Sequence, residues 1–326
     1  MILLTGSIGC VSVPMRHPAR SPQPLPDEVA ARYAAPAPSR FLPEHRAQAE
    51  STATLVRTHR RYTEWLIQFP LIVSTFEPTE PVVEVEWFES THPGRRPAIL
   101  FNPILGGDYP LERGIARFFA AHGFHTALVH RKTLKISPEH EIARLELLLH
   151  QAVMRARQVV DWMASHDRVD PARLGSFGIS MGGIVSVIIA ALEPRLSAHV
   201  IVLAGGSIPD ILVTSHDPLL TKPVQRYLTA HQMTRTQFAQ QARHDITTDP
   251  MRFAPYVATP QLLCFVALFD RTIGRANASR LRHALGTPST VFLPFGHYTS
   301  YLALPYLKSK SLRFFKRKLT SSTPRS

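Results

Sequence analysis

Acidic side chains are scarce in this chain: 24 Asp and Glu stand against 37 Lys and Arg, a formal charge of +13 over 326 residues. Such an excess invites a nucleic-acid partner. The basic residues, however, are spread along the chain, with one concentrated run at 308–318. They are not accompanied by an RNA-binding sheet signature, a zinc finger or a glycine-rich phosphate loop. The charge reads as a basic, solvated surface attracted to anionic membranes or acidic polymers, and no nucleic-acid partner is expected. Cysteine is rarer still. Cys10 and Cys264 make no disulfide framework, and Cys264, in the apolar run Leu262-Leu263-Cys264-Phe265-Val266, reads as a buried, inert thiol. Without a CxxC or HExxH spacing, no metal and no cofactor are expected. An apolar run of the roughly 18 residues that span a membrane is also missing; the longest, 183–192, is far too short.

What is present is an ordinary globule, 44% apolar and 19% charged, long enough for one large core. Residues 1–40 read as a leader and Pro-rich linker, and 41–80 as an N-terminal helical segment with a helix over about 43–67 that ends before Pro70. Residues 82–88 alternate partly, like an early edge strand. From Pro97, short continuous apolar strands (98–101, 126–129, 174–177, 200–203, 262–268, 290–293) alternate with helical patterns, the longest over 139–165. That alternation predicts an α/β fold with a mostly parallel central sheet and helices on both faces. The core divides into a first part, 81–206, and a second, 260–320, with a tail at 321–326. Between the parts, 207–259 is helical and polar, either a cap over a site or a structural excursion.

Leu174-Gly175-Ser176-Phe177-Gly178-Ile179-Ser180-Met181-Gly182-Gly183 is a strand running through G-x-S-x-G into a helix. A nucleophile at the tip of such a turn has strained dihedrals, and side chains two positions either side would collide with neighbouring backbone. Gly178 and Gly182 remove those collisions. The turn exposes the Ser180 hydroxyl and aims a helix N-terminus at a reacting carbonyl, where the Met181 amide can donate to an oxyanion.

Across roughly 81–318 the chain resembles the α/β-hydrolase superfamily, and more closely its esterase-like branch around dienelactone hydrolases and prolyl-oligopeptidase-type domains. The resemblance rests on Gly178-Ile179-Ser180-Met181-Gly182-Gly183, Phe269-Asp270-Arg271-Thr272-Ile273 and Gly296-His297-Tyr298. It implies the fold and a Ser…Asp…His order, with Ser180 as nucleophile, Asp270 as acid and His297 as base. Dienelactone hydrolases proper use a cysteine nucleophile, so their activity is not implied, and Gly274 stands where the family often has proline. The residues support the same roles. A serine needs a base within hydrogen-bond reach, itself oriented by a carboxylate, and Asp270 and His297 follow successive predicted strands. Asp210, just after the strand at 200–203, is the rival acid; Asp245 and Asp249, in the insertion, are poorer ones. A second oxyanion donor is expected from the loop Asn102-Pro103-Ile104-Leu105-Gly106-Gly107-Asp108. Pro103 has no amide hydrogen, and aligning the glycine pair with the family's favours Leu105 over Ile104.

The expected activity is hydrolysis of small-molecule carboxylic esters through an acyl-enzyme. Acyl transfer or peptide cleavage on the same triad stays open, as does a non-catalytic envelope protein that retains the fold. Residues 3–10 end in Ser7-Ile8-Gly9-Cys10, which resembles a bacterial lipoprotein signal, with the Pro-rich stretch as tether. Peripheral or lipid-anchored membrane association in the envelope is preferred over a cytoplasmic location.

Overall fold

The computed structural model describes residues 10–14, 21–34, 51–73, 78, 80–106, 108–131, 139–140 and 142–320. Its centre is a ten-stranded sheet. Six strands run parallel, in the spatial order β10 (Ser289–Leu293), β9 (Leu262–Ala267), β8 (Leu196–Val202), β7 (Val169–Ile179), β5 (Arg96–Asn102), β6 (His125–Val129). Side chains alternate across the sheet, so each strand feeds two cores. In β9, Leu262, Cys264 and Val266 join one apolar cluster while Leu263, Phe265 and Ala267 join the other. The first is covered by α3 (Ile142–Ser165) and α4 (Met181–Leu192), the second by α2 (Pro110–Ala120) and α10 (Leu304–Leu319). Burial on both faces is why these strands read as unbroken apolar runs. Burial also pushes the Cys264 thiol up to about 12, so it is inert as expected.

Three expectations about the N-terminal third are corrected. The helix expected over 43–67 is a β-hairpin, β2 (Thr52–His59) and β3 (Tyr62–Pro70), turning at Arg60-Arg61; residues 43–50 of that helix lie outside the described residues. Its β-branched and aromatic residues (Thr52, Thr54, Tyr62, Trp65, Ile67, Phe69) suit a pleated surface, and pairing with the sheet outweighed a weak helical period. Second, β4 (Val82–Ser90) is no edge: it lies between β3 and β6, antiparallel to both, and the exposed β2 is the edge. Third, the linker is anchored. β1 (Val11–Val13) pairs antiparallel with β10 at the opposite edge, α1 is Asp27–Arg32, and Tyr33 is buried. The Tyr33 ring stacks on His150 at 4.4 Å and its hydroxyl bonds Thr248 Oγ1 at 2.7 Å. A Pro-rich average hides a few apolar anchors. Cys10 packs partly buried against the core directly before β1; the apolar run before Cys10 and residues 15–20 and 35–50 lie outside the described residues.

Between β8 and β9 the insertion forms α5 (Ile208–Thr214), α6 (Pro218–Ala230), α7 (Arg235–Asp245) and α8 (Pro250–Phe253). Ile208, Ile211, Phe238, Ile246 and Phe253 are buried in the first cluster, which makes the insertion integral to the fold. Among the described residues, no helix is long and apolar enough to cross a membrane.

Candidate active site

Strand β7 ends at Ile179 and α4 begins at Met181, leaving Ser180 alone at the turn with φ 55° and ψ −118°. Its amide donates to the Val202 carbonyl at 2.8 Å, so the next strand fixes the turn. A Cβ on Gly178 would stand 2.1 Å from the Gly182 carbonyl oxygen, and one on Gly182 would stand 2.0 Å from that of Asn102. Each would set a side-chain carbon against a backbone carbonyl oxygen, which cannot move aside. Only glycine fits at either place.

Asp270 lies just past β9, nearly buried, and its Oδ1 accepts the amides of Thr272 and Ile273, each at 2.9 Å. His297 lies just past β10, in a loop closed by Gly296 N–H to Thr299 Oγ1 (2.9 Å) and Ser300 O–H to the Gly296 carbonyl (2.7 Å). The imidazole spans the two groups: Nδ1 is 2.7 Å from Asp270 Oδ2 and Nε2 is 3.0 Å from Ser180 Oγ. The carboxylate can only accept, so it assigns the proton to Nδ1 and leaves Nε2 to receive the serine proton. Three strand ends of a parallel sheet thus bring together residues 90 and 27 positions apart.

The rival carboxylates are engaged elsewhere. Asp210 pairs with Arg243 (2.7 Å) and Arg280 (2.8 Å), Asp245 with His244 (2.8 Å), and Asp249 accepts the amides of Ile208 (2.6 Å) and Met251 (2.9 Å).

Met181 opens α4, where the first-turn amides have no intrahelical partner. In the loop after β5, the Ile104 amide donates to the buried Glu112 carboxylate at 2.9 Å, which removes it as an oxyanion donor. Leu105 lines the same cavity as Ser180 and Met181; Gly107 lies outside the described residues. Arg131, half-buried, donates to the carbonyls of Pro103 (2.9 Å) and Ile104 (2.7 Å) and pins this loop. Burial pushes the Glu112 carboxyl up and the Arg131 guanidinium down.

Sequence reasoning missed Asp217. This residue caps α6 by accepting the Leu219 amide at 2.9 Å, a role that Asp217-Pro218 signals in the sequence. Its other oxygen accepts Thr272 O–H at 2.8 Å and Tyr298 O–H, so one carboxylate ties the insertion to the loops carrying Asp270 and His297. Burial pushes the Asp217 carboxyl up, but the bonds from Tyr298, the Leu219 amide and Thr272 outweigh it and hold the group below the usual range. The Tyr298 hydroxyl is raised to about 12, by burial and by its bond to Asp217. No sequence period links residues so far apart.

Above Ser180 and His297 is a cavity of about 210 Å³, walled by Ile104, Leu105, Ile184 and Leu304 of the core and by Ile208, Ile211, Leu212 and Leu219 of the insertion. Among the described residues, no group of three or more His, Cys, Asp or Glu is placed to hold a metal ion.

A mostly parallel sheet with a serine turn and a hydrogen-bonded Ser–His–Asp chain at its strand ends is the arrangement of the α/β-hydrolase fold. The family model for acetyl xylan esterase matches residues 142–204. The fold is similar to that of an acetyl xylan esterase from a Paenibacillus species, over 83% of this chain and 89% of that one (TM-score 0.65, 14% identity). It is likewise similar to acetyl xylan esterase 1 from a Thermoanaerobacterium species, over 88% and 99% (TM-score 0.59, 16% identity). An acylaminoacyl peptidase from Pyrococcus horikoshii matches over 82% of this chain and 43% of its own (TM-score 0.58, 14% identity). In sequence, an uncharacterised protein of Mycobacterium tuberculosis is 25% identical over 158 residues, 48% of this chain. The matched stretch is 35% of that protein, so the chain spans about a third of the length of the curated relatives it matches.

Proposed function

We propose that this protein is a serine hydrolase of carboxylic esters. Ser180 Oγ attacks the acyl carbonyl while His297 Nε2 takes its proton. Asp270 holds the imidazole by Nδ1 and stabilises the positive charge it gains. The oxyanion is received by the amides of Met181 and Leu105. His297 then protonates the departing alkoxide. A water, deprotonated by the same nitrogen, cleaves the acyl-enzyme and returns Ser180 to its resting state.

The observation that carries this reading is the unbroken chain from Ser180 Oγ through His297 to Asp270, with contacts of 3.0 and 2.7 Å at the floor of an apolar cavity. The match to an esterase family model over 142–204, which contains Ser180, supports it. Peptide cleavage or acyl transfer would use the same three residues, and the small apolar cavity favours an ester over a peptide. The test is labelling with a fluorophosphonate probe alongside hydrolysis of p-nitrophenyl butyrate. Wild type should label and turn over; Ser180→Ala should fold, fail to label and lose about 10³-fold or more in kcat. Retention of activity by that variant removes Ser180 as nucleophile.

Membrane association belongs to the same proposal. The Ser-Ile-Gly-Cys signal at Cys10 would give lipid attachment, and Arg313, Lys316, Arg317 and Lys318, exposed on α10, would add attraction to anionic lipid. Fractionation of cells expressing the full chain and Cys10→Ser tests it: a wild type as soluble as the variant rejects the anchor.

A further inference from the structure

Apart from the Tyr301 hydroxyl at the exposed rim, the side-chain polar groups of the cavity wall are already engaged. Ser180 and His297 bond each other at 3.0 Å. Asp217 accepts from the Leu219 amide, Thr272 and Tyr298, which engages both its oxygens and both those hydroxyls. Ser300 donates to the Gly296 carbonyl at 2.7 Å. The remaining wall is aliphatic: Ile184, Ile208, Ile211, Leu212, Leu304 and Leu307. A sugar ring placed there would give up its bonds to water and find few replacements. The apolar wall also continues outward, because Leu219, Tyr298 and Tyr301 both line the cavity and reach solvent, at 65%, 60% and 64% exposure.

We infer that the substrate is an ester carrying an aliphatic chain, which fills this cavity, and not an acetylated sugar. The inference rests on the esterase reading and specifies its substrate class. Burying each added methylene lowers the barrier relative to free substrate, by a factor of about four in kcat/KM. The chain belongs to either the acyl or the alcohol side of the ester, and the two sides are separable by experiment.

The full chain is assayed on p-nitrophenyl acetate, butyrate and hexanoate, on methyl, butyl and hexyl acetate, and on acetylated xylose. The expected result is a rise in kcat/KM of at least tenfold from the shortest to the longest member of one series, which identifies the side, with acetylated xylose below the best alkyl ester. Ile211→Trp, which fills the cavity, should reduce the long-to-short ratio of that series at least tenfold; Leu304→Trp replaces it if Ile211→Trp does not fold. Preference for the shortest member in both series, or for acetylated xylose over every alkyl ester, overturns the inference while leaving the esterase reading intact. Failure to hydrolyse any ester, together with no fluorophosphonate labelling, overturns both.

Discussion

Single atoms decide whether the serine turn can exist. The positive φ at Ser180 costs about 1–3 kcal/mol, and the structure sustains it by the Val202 carbonyl bond and by the close packing of Gly182 on Asn102. Gly182→Ala would force a methyl into a carbonyl oxygen 2.0 Å away, so the variant should express poorly or lose fluorophosphonate labelling. Asp270 and Asp210 make a sharper comparison. Asp270→Asn would present an amide to His297 Nδ1, favour the wrong tautomer, and lower kcat by about 10²–10⁴-fold. Asp210→Asn would disturb only its bonds to Arg243 and Arg280 and should leave kcat within about threefold. The reverse ranking in steady-state assays would exchange their roles. Ser180 and His297 meet as the sequence suggested, each following a strand with its own local signature, whereas the choice of Asp270 over Asp210 needed the fold. Glu112 and Arg131, which hold the loop after β5, carry no such signature.

At the scale of elements, the insertion is wall and structure together. Its buried residues join the main core, and α5 and α6 face Ser180 across the cavity. Asp217 is the point where it is fastened. Asp217→Ala removes the cap of α6, worth about 1 kcal/mol, and frees Thr272 beside Asp270 and Tyr298 beside His297. We expect kcat on p-nitrophenyl butyrate to fall about 10–100-fold with an unchanged far-ultraviolet dichroism spectrum, and Asp217→Asn, which keeps an accepting oxygen, to lose less. Equal activity in all three proteins would show that the fastening does not position His297. The insertion's helical character was visible in its polar composition. The hairpin of β2 and β3 was not, because a nine-residue strand carrying Glu64, Trp65 and Leu66 in succession breaks strict alternation, and its pairing with β4 is a nonlocal fact.

For the whole molecule, acid is the predicted weakness. His199, buried and bonded to Ser176 Oγ at 2.8 Å, is pushed down to about 4 by burial, and His125 down to about 3 by the same cause. In the unfolded chain both take protons near their ordinary value of about 6.5. Below that pH the unfolded state binds protons that the fold refuses, so stability is full above about 6.5 and falls as pH drops toward the folded values. Glu86 adds to this at lower pH. Burial pushes its carboxyl up, but bonds from His130 and Arg113 outweigh burial and hold it at about 2, so its contribution is lost below its ordinary value. Calorimetry should show Tm falling steadily from about pH 7 to about pH 4, less steeply in His199→Gln. A flat profile over that range would mean that these histidines do not resist protonation.

The sequence by itself determined the alternation of buried strands and helices, the serine turn with its two glycines, and the succession of core strands after which Ser180 and His297 fall. Each is written in contiguous residues, as a period of apolar positions or a steric demand at a turn. Tertiary structure alone decided which carboxylate reaches His297, since Asp270 and Asp210 both follow core strands and only packing sends Asp210 to Arg243 and Arg280. It also decided that 52–70 joins the sheet as a hairpin, that Val11–Val13 closes the far edge, and that one oxygen of Asp217 joins three segments. Those outcomes depend on partners tens to hundreds of residues away, and hydrogen bonds and apolar contacts formed across such separations leave no mark on the local pattern.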